Sequence, residues 1–390
     1  LVFTIHLLGH VALPWHYGSE EWCGISDLPT GIHGKAGRRS MLSTREVWEK
    51  LCNDSLEKFG CCLADYVTSV SDSYLKDDVA SFVDGAIKGK SGHIYNGCDW
   101  DYDKLRSSVL GDQQLQHTET GQEPYQTRQE LRNSLLTKDL SNTSQKLDPT
   151  EQLEKPLEPF ESDGPLVLMT GRLTPQKGVD LLLDAVPSVK KSVPDAKFLL
   201  FLLPSGDSQL SEMIDSEVRR YEDNVRVIYG RHPALYIAAH LAADVYAMPS
   251  RSEPFGISAL EAMATGNPVV ATRTGGLRET ILDISIHREK GTGLLVPGED
   301  VESLAESLVS LLLVTSIDHQ TQIERQEVLD VANRIPIKSL RNMVTDDPMV
   351  GSKLRDNCIA RVENSFRWVN AGRMALERYR EAVSRTNRPA

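Results

Sequence analysis

From residue 164 onward the chain alternates two patterns. Short, near-continuous apolar runs are separated by stretches with apolar residues at helical spacing. The runs are PLVLMTG (165–171), AKFLLFLL (196–203), VRVIY (225–229), DVYAMP (244–249), PVVAT (268–272) and GLLVP (293–297). The predicted helices between and beyond them cover about 178–192, 208–222, 233–242, 256–265 and 300–314. Strands apolar on both faces, joined by amphipathic helices, predict a parallel sheet covered on both sides. A doubly wound sheet of this kind binds ligands at the carboxyl ends of its strands. Residues 353–383 are polar with helical spacing and suit helices that pack back onto another domain.

Before residue 110 the pattern is less regular. VFTI (2–5), YVTSV (66–70) and GHIYNG (92–97) read as short strands, and Thr44–Phe59 reads as helical. The opening LVFTIHLL has neither a Met nor a basic stretch ahead of its apolar residues, which argues against a signal peptide. VFTI reads as a strand of a larger sheet, so the sequence is expected to begin inside a domain. Between Gly111 and Asp163 the composition shifts to 11 acidic and 5 basic residues with eight glutamines. That predicts a solvated linker with one helix, around TRQELRNSLLTKDL. The expected organisation is 1–110 as a partial first domain, 111–163 as linker, 164–345 as a second domain and 346–390 as closing helices.

Composition narrows the function. The 390 residues are 40% apolar and 25% charged, ordinary globular usage with room for two domains. A net charge of −12 argues against a nucleic-acid partner, which needs a basic face. The longest apolar run, Phe198–Leu203, is far short of the roughly 20 residues that span a bilayer. The six cysteines show neither CxxC pairs nor Cys/His ligand spacing, so free thiols in a reducing cytoplasm are expected.

Two segments could carry chemistry. GRLTPQKG (171–178) places Arg172 and Lys177 directly after a strand and before a helix, where two cations suit a diphosphate. Loop cations are common, and alone these would more often simply face water. In SRSEPFGISALEAMATG (250–266), Gly256 at a helix entry leaves the N–H groups of Gly256, Ile257 and Ser258 open to a phosphate. Glu253 precedes that helix and Glu261 lies within it. Five helical residues advance about 7.5 Å, roughly the separation of a diphosphate from its ribose. Glu253 can therefore stand beside a transferred group while Glu261 takes ribose hydroxyls.

GRLTPQKG, SEPFGISALEAM and GNPVVATRTGGLRE, in this order, resemble the carboxyl-terminal domain of retaining GT-B glycosyltransferases. FTIHLLG, ADYVTSVSDSY and IYNGCDW resemble segments of glycogen and starch synthases, and Phe366 and Trp368 resemble that family's closing helices. The resemblance implies an α/β fold of GT-B type, with two Rossmann-like doubly wound domains, the first incomplete. It implies glucosyl transfer from ADP-glucose or UDP-glucose to the 4-hydroxyl end of an α-glucan. No further cofactor, metal, nucleic acid or membrane takes part. Carried onto matching positions, Arg172 and Lys177 would neutralise the leaving diphosphate, Glu261 would hold the ribose and Glu253 would stand at the reacting glucosyl unit. His6 would contact the same sugar and Asn96 would line its pocket. Two departures stand out: Leu7 replaces the usual Asn after His6, and no Gly-rich K-x-GG loop is present. Rival readings are another retaining transferase (sucrose, trehalose or mannosyl), a sugar-nucleotide epimerase, or a nucleotide-binding fragment without turnover. Asp99-Trp100-Asp101 reads as surface rather than a metal site, and His232 as a turn residue.

Overall fold

The computed structural model describes residues 1–8, 29–33, 39–52, 55–83, 85–109, 124–142, 144–145, 155–205, 208–317 and 324–386. Cys23 and positions 111–123, 143 and 146–154 of the acidic segment lie outside the described residues. The chain divides into two compact units, one made of Leu1–Gly97 with Trp368–Ala390 and the other of Cys98–Arg367.

In the first unit, strands β1 (Val2–Ile5), β4 (Tyr66–Ser69) and β5 (Ser91–His93) form a parallel sheet in the order β1-β4-β5. Its register pairs Val2 with Tyr66 and Val67 with Ser91. Strands β2 (Pro29–His33) and β3 (Arg39–Ser43) form a separate antiparallel pair. The helical stretch expected over 44–59 is divided into a helix Thr44–Val47, a single π turn Trp48–Cys52 and a helix Leu56–Leu63. The physical reason is local: the Ser55 hydroxyl accepts from the Lys58 N–H and starts a new helix there. The helix Trp368–Thr386 returns to this unit, with the Trp368 indole seated against Gly97 and Arg378 against Gly92.

The second unit is built on six parallel strands: β8 (Leu166–Arg172), β9 (Lys197–Leu203), β10 (Val225–Tyr229), β11 (Val245–Met248), β12 (Val269–Thr272) and β13 (Gly293–Val296). Each matches a predicted strand to within one or two residues. Their order is β10-β9-β8-β11-β12-β13, the doubly wound arrangement in which the first and fourth strands meet at the centre. β8, β11 and β12 are buried almost throughout, because helices such as Val179–Ser192 and Val301–Ile317 cover the sheet.

The acidic segment departs from the solvated linker its composition predicts. It holds the one expected helix, as Pro124–Thr137, and an unpredicted short strand pair, β6 (Ser144–Gln145) with β7 (Lys155–Pro156). That helix packs with Pro233–Ala242 and buries Leu135 and Leu136 completely. Arg128 and Arg132, one helical turn apart, point into the unit. Arg128 donates to the Ala243 and Thr265 carbonyls and to the Asn267 side chain at 2.5–2.7 Å. Arg132 bridges Asp163 and the buried Asp244, which also accepts from Arg355 and the Leu166 N–H. Two arginines thus satisfy buried carbonyls and a buried carboxylate, a partnership that composition does not reveal. Among the described residues, no helix is long and apolar enough to cross a membrane.

Candidate active site

The strand order reverses between β8 and β11, and a crevice for ligands opens at such a reversal. The loops leaving these two strands are stitched together. The Arg251 N–H donates to the Gln176 carbonyl at 2.8 Å, and the Gln176 amide donates to the Ser252 carbonyl at 2.8 Å. Arg251 also grips Asp180 with two bonds of 2.7 and 2.9 Å, reaches Glu299 at 2.7 Å and donates to the Pro175 carbonyl. Between the loops, Gly178 adopts φ 66°, and a Cβ there would lie 2.1 Å from the Pro249 carbonyl oxygen. Only glycine fits that crossing.

The stitching brings Lys177 and Glu253 together. Their Nζ and Oε2 atoms are 2.5 Å apart, with side chains only 13% and 10% exposed. Arg172 stands at the exposed end of β8, its guanidinium 3.4 Å from the Gln176 carbonyl oxygen of the side chain. Gly256 (φ 96°) turns the chain into the helix Ile257–Ala264, and no side chain caps that helix. The first amide groups, including those of Ile257 and Ser258, therefore keep the positive end of the helix dipole open to an anion. A third loop, after β12, supports the second. The Gly276 N–H donates to the Glu253 carbonyl at 3.0 Å, and a Cβ on Gly275 would lie 2.0 Å from that oxygen. The contact of the Gly275–Gly276 pair with the Glu253 backbone is not legible in the sequence.

Glu261 sits in the second turn of the same helix in a different setting. Its Oε2 accepts a 2.7 Å bond from the Tyr236 hydroxyl. Burial raises its carboxyl above the ordinary value, and that hydrogen bond offsets part of the rise. The Tyr236 oxygen is also 3.2 Å from Thr170 Oγ1, which is 2.7 Å from the Tyr246 hydroxyl. Burial pushes Tyr236 upward and Tyr246 up to about 12, so both phenols stay neutral hydrogen-bonding groups. His240 lies beneath, bonded through Nδ1 to the Tyr236 carbonyl, and burial depresses it to about 4. Trp100 meets Tyr236 and His240 edge-on, with ring centroids 5.9 and 5.1 Å away. Sequence reasoning missed Tyr236, because the bond that singles it out joins residues 25 positions apart.

The other predicted residues belong to the first unit. His6 is exposed immediately after β1, as is Leu7, while Leu8 is buried with its N–H on the Tyr74 hydroxyl at 3.0 Å. Asn96 is half-buried, three residues beyond β5. In the second unit Asp99 is exposed, and Asp101 caps the Lys104 N–H at 3.1 Å. His232 lies in a turn, its Nε2 3.2 Å from the Tyr229 carbonyl. Among the described residues, no group of three or more His, Cys, Asp or Glu side chains is placed to hold a metal ion.

Residues 151–326, which contain Arg172, Lys177, Glu253 and Glu261, match the family of glycosyl transferases group 1. Over 148 residues the chain is 34% identical to glycogen synthase of Halorhodospira halophila, covering 38% of this chain and 30% of that protein. Over 166 residues it is 34% identical to D-inositol 3-phosphate glycosyltransferase of Corynebacterium glutamicum, covering 42% of this chain and 37% of that protein. The chain therefore spans about a third of the length of these curated relatives. Among solved structures it resembles the catalytic domain of starch synthase IV from Arabidopsis thaliana, bound to ADP and acarbose. That match has a TM-score of 0.52 at 20% identity and covers 79% of this chain and 59% of the other. The likeness shows the fold alone, an α/β architecture of GT-B type.

Proposed function

We propose that the chain moves glucose from ADP-glucose or UDP-glucose to the 4-hydroxyl end of an α-1,4-glucan, with retained configuration, in the cytoplasm. One observation carries the reading: a buried Lys177–Glu253 pair at the switch point, beside a helix that opens on Gly256 without a side-chain cap. As the bond between the anomeric carbon and the diphosphate oxygen breaks, negative charge grows on the diphosphate. Arg172, Lys177 and the amides of Gly256, Ile257 and Ser258 are groups that can meet that charge. Preorganised donors of this kind contribute around 3 kcal/mol each. A diphosphate arriving at Lys177 competes with Glu253 for the ammonium and frees the carboxylate for the glucosyl unit. Glu261, fixed by Tyr236, would take the ribose hydroxyls, while His6 and Asn96 would contact the sugar. The similarity to a glycogen synthase, and to a starch synthase bound to ADP and acarbose, supports a nucleotide-sugar donor and a glucan acceptor.

A second reading has its own observation. The chain is equally similar, at 34%, to a transferase named for D-inositol 3-phosphate, so a small phosphorylated acceptor competes with glucan. Incubation with radiolabelled ADP-glucose or UDP-glucose, offering glycogen in one arm and D-inositol 3-phosphate in the other, decides between them. Label in polymer that an α-1,4-specific amylase releases supports the glucan reading. Label on the small acceptor replaces it with the second. Epimerised donor without any acceptor, or binding without turnover in both arms, overturns both.

A further inference from the structure

The first unit holds a cluster of cysteines that the transferase reading does not use. In the helix Leu56–Leu63, Phe59 and Cys62 are three residues apart on one face. That face packs against Val47, Trp48 and Cys52, with Trp48 and Phe59 edge-to-face at 5.3 Å. Cys52 ends the π turn Trp48–Cys52, its Sγ 3.2 Å from the Val47 carbonyl oxygen, and π turns recur at functional positions. Cys62 packs against the buried cluster that holds Cys52. Their exposures differ: Cys52 is fully buried and Cys62 is half-buried. Cys61, also fully buried, turns about 100° further around the helix.

The charges around the pair are unequal as well. Lys90 is buried, and its ammonium donates to the Cys61 and Ala64 carbonyls at 2.7 Å, at the carboxyl end of the same helix. The neighbouring Cys52 thiol lowers Cys62 to about 7, against the effect of burial and with help from Lys90 and Lys58. The Cys62 thiol and burial together push Cys52 upward. Burial pushes Cys61 up to about 12, while Lys90 works against the rise and Glu57 adds to it. The half-buried sulfur is therefore the one whose thiolate is favoured. A protonated thiol waits behind it.

We propose that Cys62 is a peroxide-reactive thiol and Cys52 its resolving partner, the two closing to a reversible disulfide. In the first step the Cys62 thiolate attacks one oxygen of hydrogen peroxide and the O–O bond breaks. Cys62 becomes a sulfenic acid, and the departing hydroxide takes a proton to form water. In the second step Cys52 sulfur attacks the sulfenic sulfur, the S–O bond breaks, and the hydroxyl leaves as water with the Cys52 proton. Two thiols are oxidised by two electrons in all, and one peroxide is reduced to two waters. A small dithiol reverses the bond by exchange. Oxidation would tie the π turn to the helix that faces it across the Trp48–Phe59 contact.

The test uses the full chain. With iodoacetamide, Cys62 should be labelled first, its rate rising to half its maximum near pH 7. At that pH it should react about tenfold faster than an ordinary thiol, whose thiolate fraction is only a few per cent. Brief hydrogen peroxide followed by acid quench and peptide mapping should give a Cys52–Cys62 linked peptide, lost again with dithiothreitol. Cys52→Ser should leave a sulfenic acid on Cys62 that dimedone traps, and Cys61→Ser should leave the linked peptide unchanged. The proposal is overturned if wild-type Cys62 gains reactivity only above pH 8.5. It is equally overturned if the oxidised wild-type chain lacks the Cys52–Cys62 peptide, or links through Cys61 or between chains. These wild-type measurements decide the matter even where a serine variant folds poorly.

Discussion

Glu253 and Glu261 lie on either side of one helix entry, and the second unit treats them in opposite ways. Glu253 belongs to a loop whose backbone is fixed by Gly275 and Gly276, and its carboxylate faces a buried ammonium. Glu261 belongs to a regular helix and faces a neutral phenol, with burial raising its carboxyl. The loop carboxylate is thus held by an ion-pair partner that an incoming diphosphate can claim. The helix carboxylate is held in place by a partner that carries no charge to give away. A transferable group calls for the first arrangement and a fixed polyol such as ribose for the second.

The largest break in that contrast should come from Lys177→Met, which leaves the Glu253 carboxylate buried without its ion partner. Loss of one member of a buried pair costs about 3–5 kcal/mol, measured here by urea unfolding. Adding Glu253→Gln should recover much of that loss, since both charges are then gone. A double variant no more stable than Lys177→Met would show that the two side chains do not depend on each other. For function the two glutamates should separate. Glu253→Ala should lower transfer by a hundredfold or more with nucleotide binding nearly intact, whereas Glu261→Ala should weaken nucleoside diphosphate binding by roughly 1–3 kcal/mol in calorimetry.

Tyr236→Phe should have the next effect. It removes one hydrogen bond to a carboxylate and should cost about 1.5–3 kcal/mol of stability at neutral pH. The pH dependence sharpens the point. Because the folded Glu261 carboxyl titrates above the ordinary 4.5, the folded chain binds more protons than the unfolded chain over that interval. Stability contributed at this position therefore falls as pH rises from 4.5 through the raised value. Glu261→Gln should remove the fall, and Tyr236→Phe should extend it to higher pH. Unchanged slopes in urea midpoints across that range would contradict the burial argument.

The smallest effect belongs to Arg251→Ala. Its bonds to Asp180 and Glu299 lie at the surface, and exposed ion pairs contribute about 1 kcal/mol or less. Unfolding should move little, while loosening of the paired loops should appear as faster amide exchange at Arg251 and Ser252. A loss above about 2 kcal/mol would contradict the minor share of stability assigned to this surface clamp.

Periodicity made the second unit readable. Its six strands are apolar on both faces, and its chemistry-bearing segments follow strands directly, so Arg172, Lys177, Glu253 and Glu261 could be named without coordinates. The Tyr236–Glu261 bond and the Gly275 contact with the Glu253 carbonyl could not, since no local rule links residues so far apart in the chain. In the first unit the predicted helix over 44–59 concealed a π turn and a second cap at Ser55, and with them the packing of Cys52 and Cys62 in one cluster. The acidic stretch misled because average charge is blind to where individual arginines point.

What the sequence determined by itself is what depends on neighbours along the chain. Apolar runs alternating with helical spacing require a covered parallel sheet, glycine at a helix entry opens its amides, and a proline–glycine frame holds two glutamates eight positions apart. The tertiary structure decided what depends on partners across the sheet. It chose the order β10-β9-β8-β11-β12-β13, set Lys177 against Glu253 rather than solvent, gave Glu261 a phenol and turned Arg128 and Arg132 inward. Those choices follow from burial, because a polar group removed from water must find its partner wherever the fold supplies one.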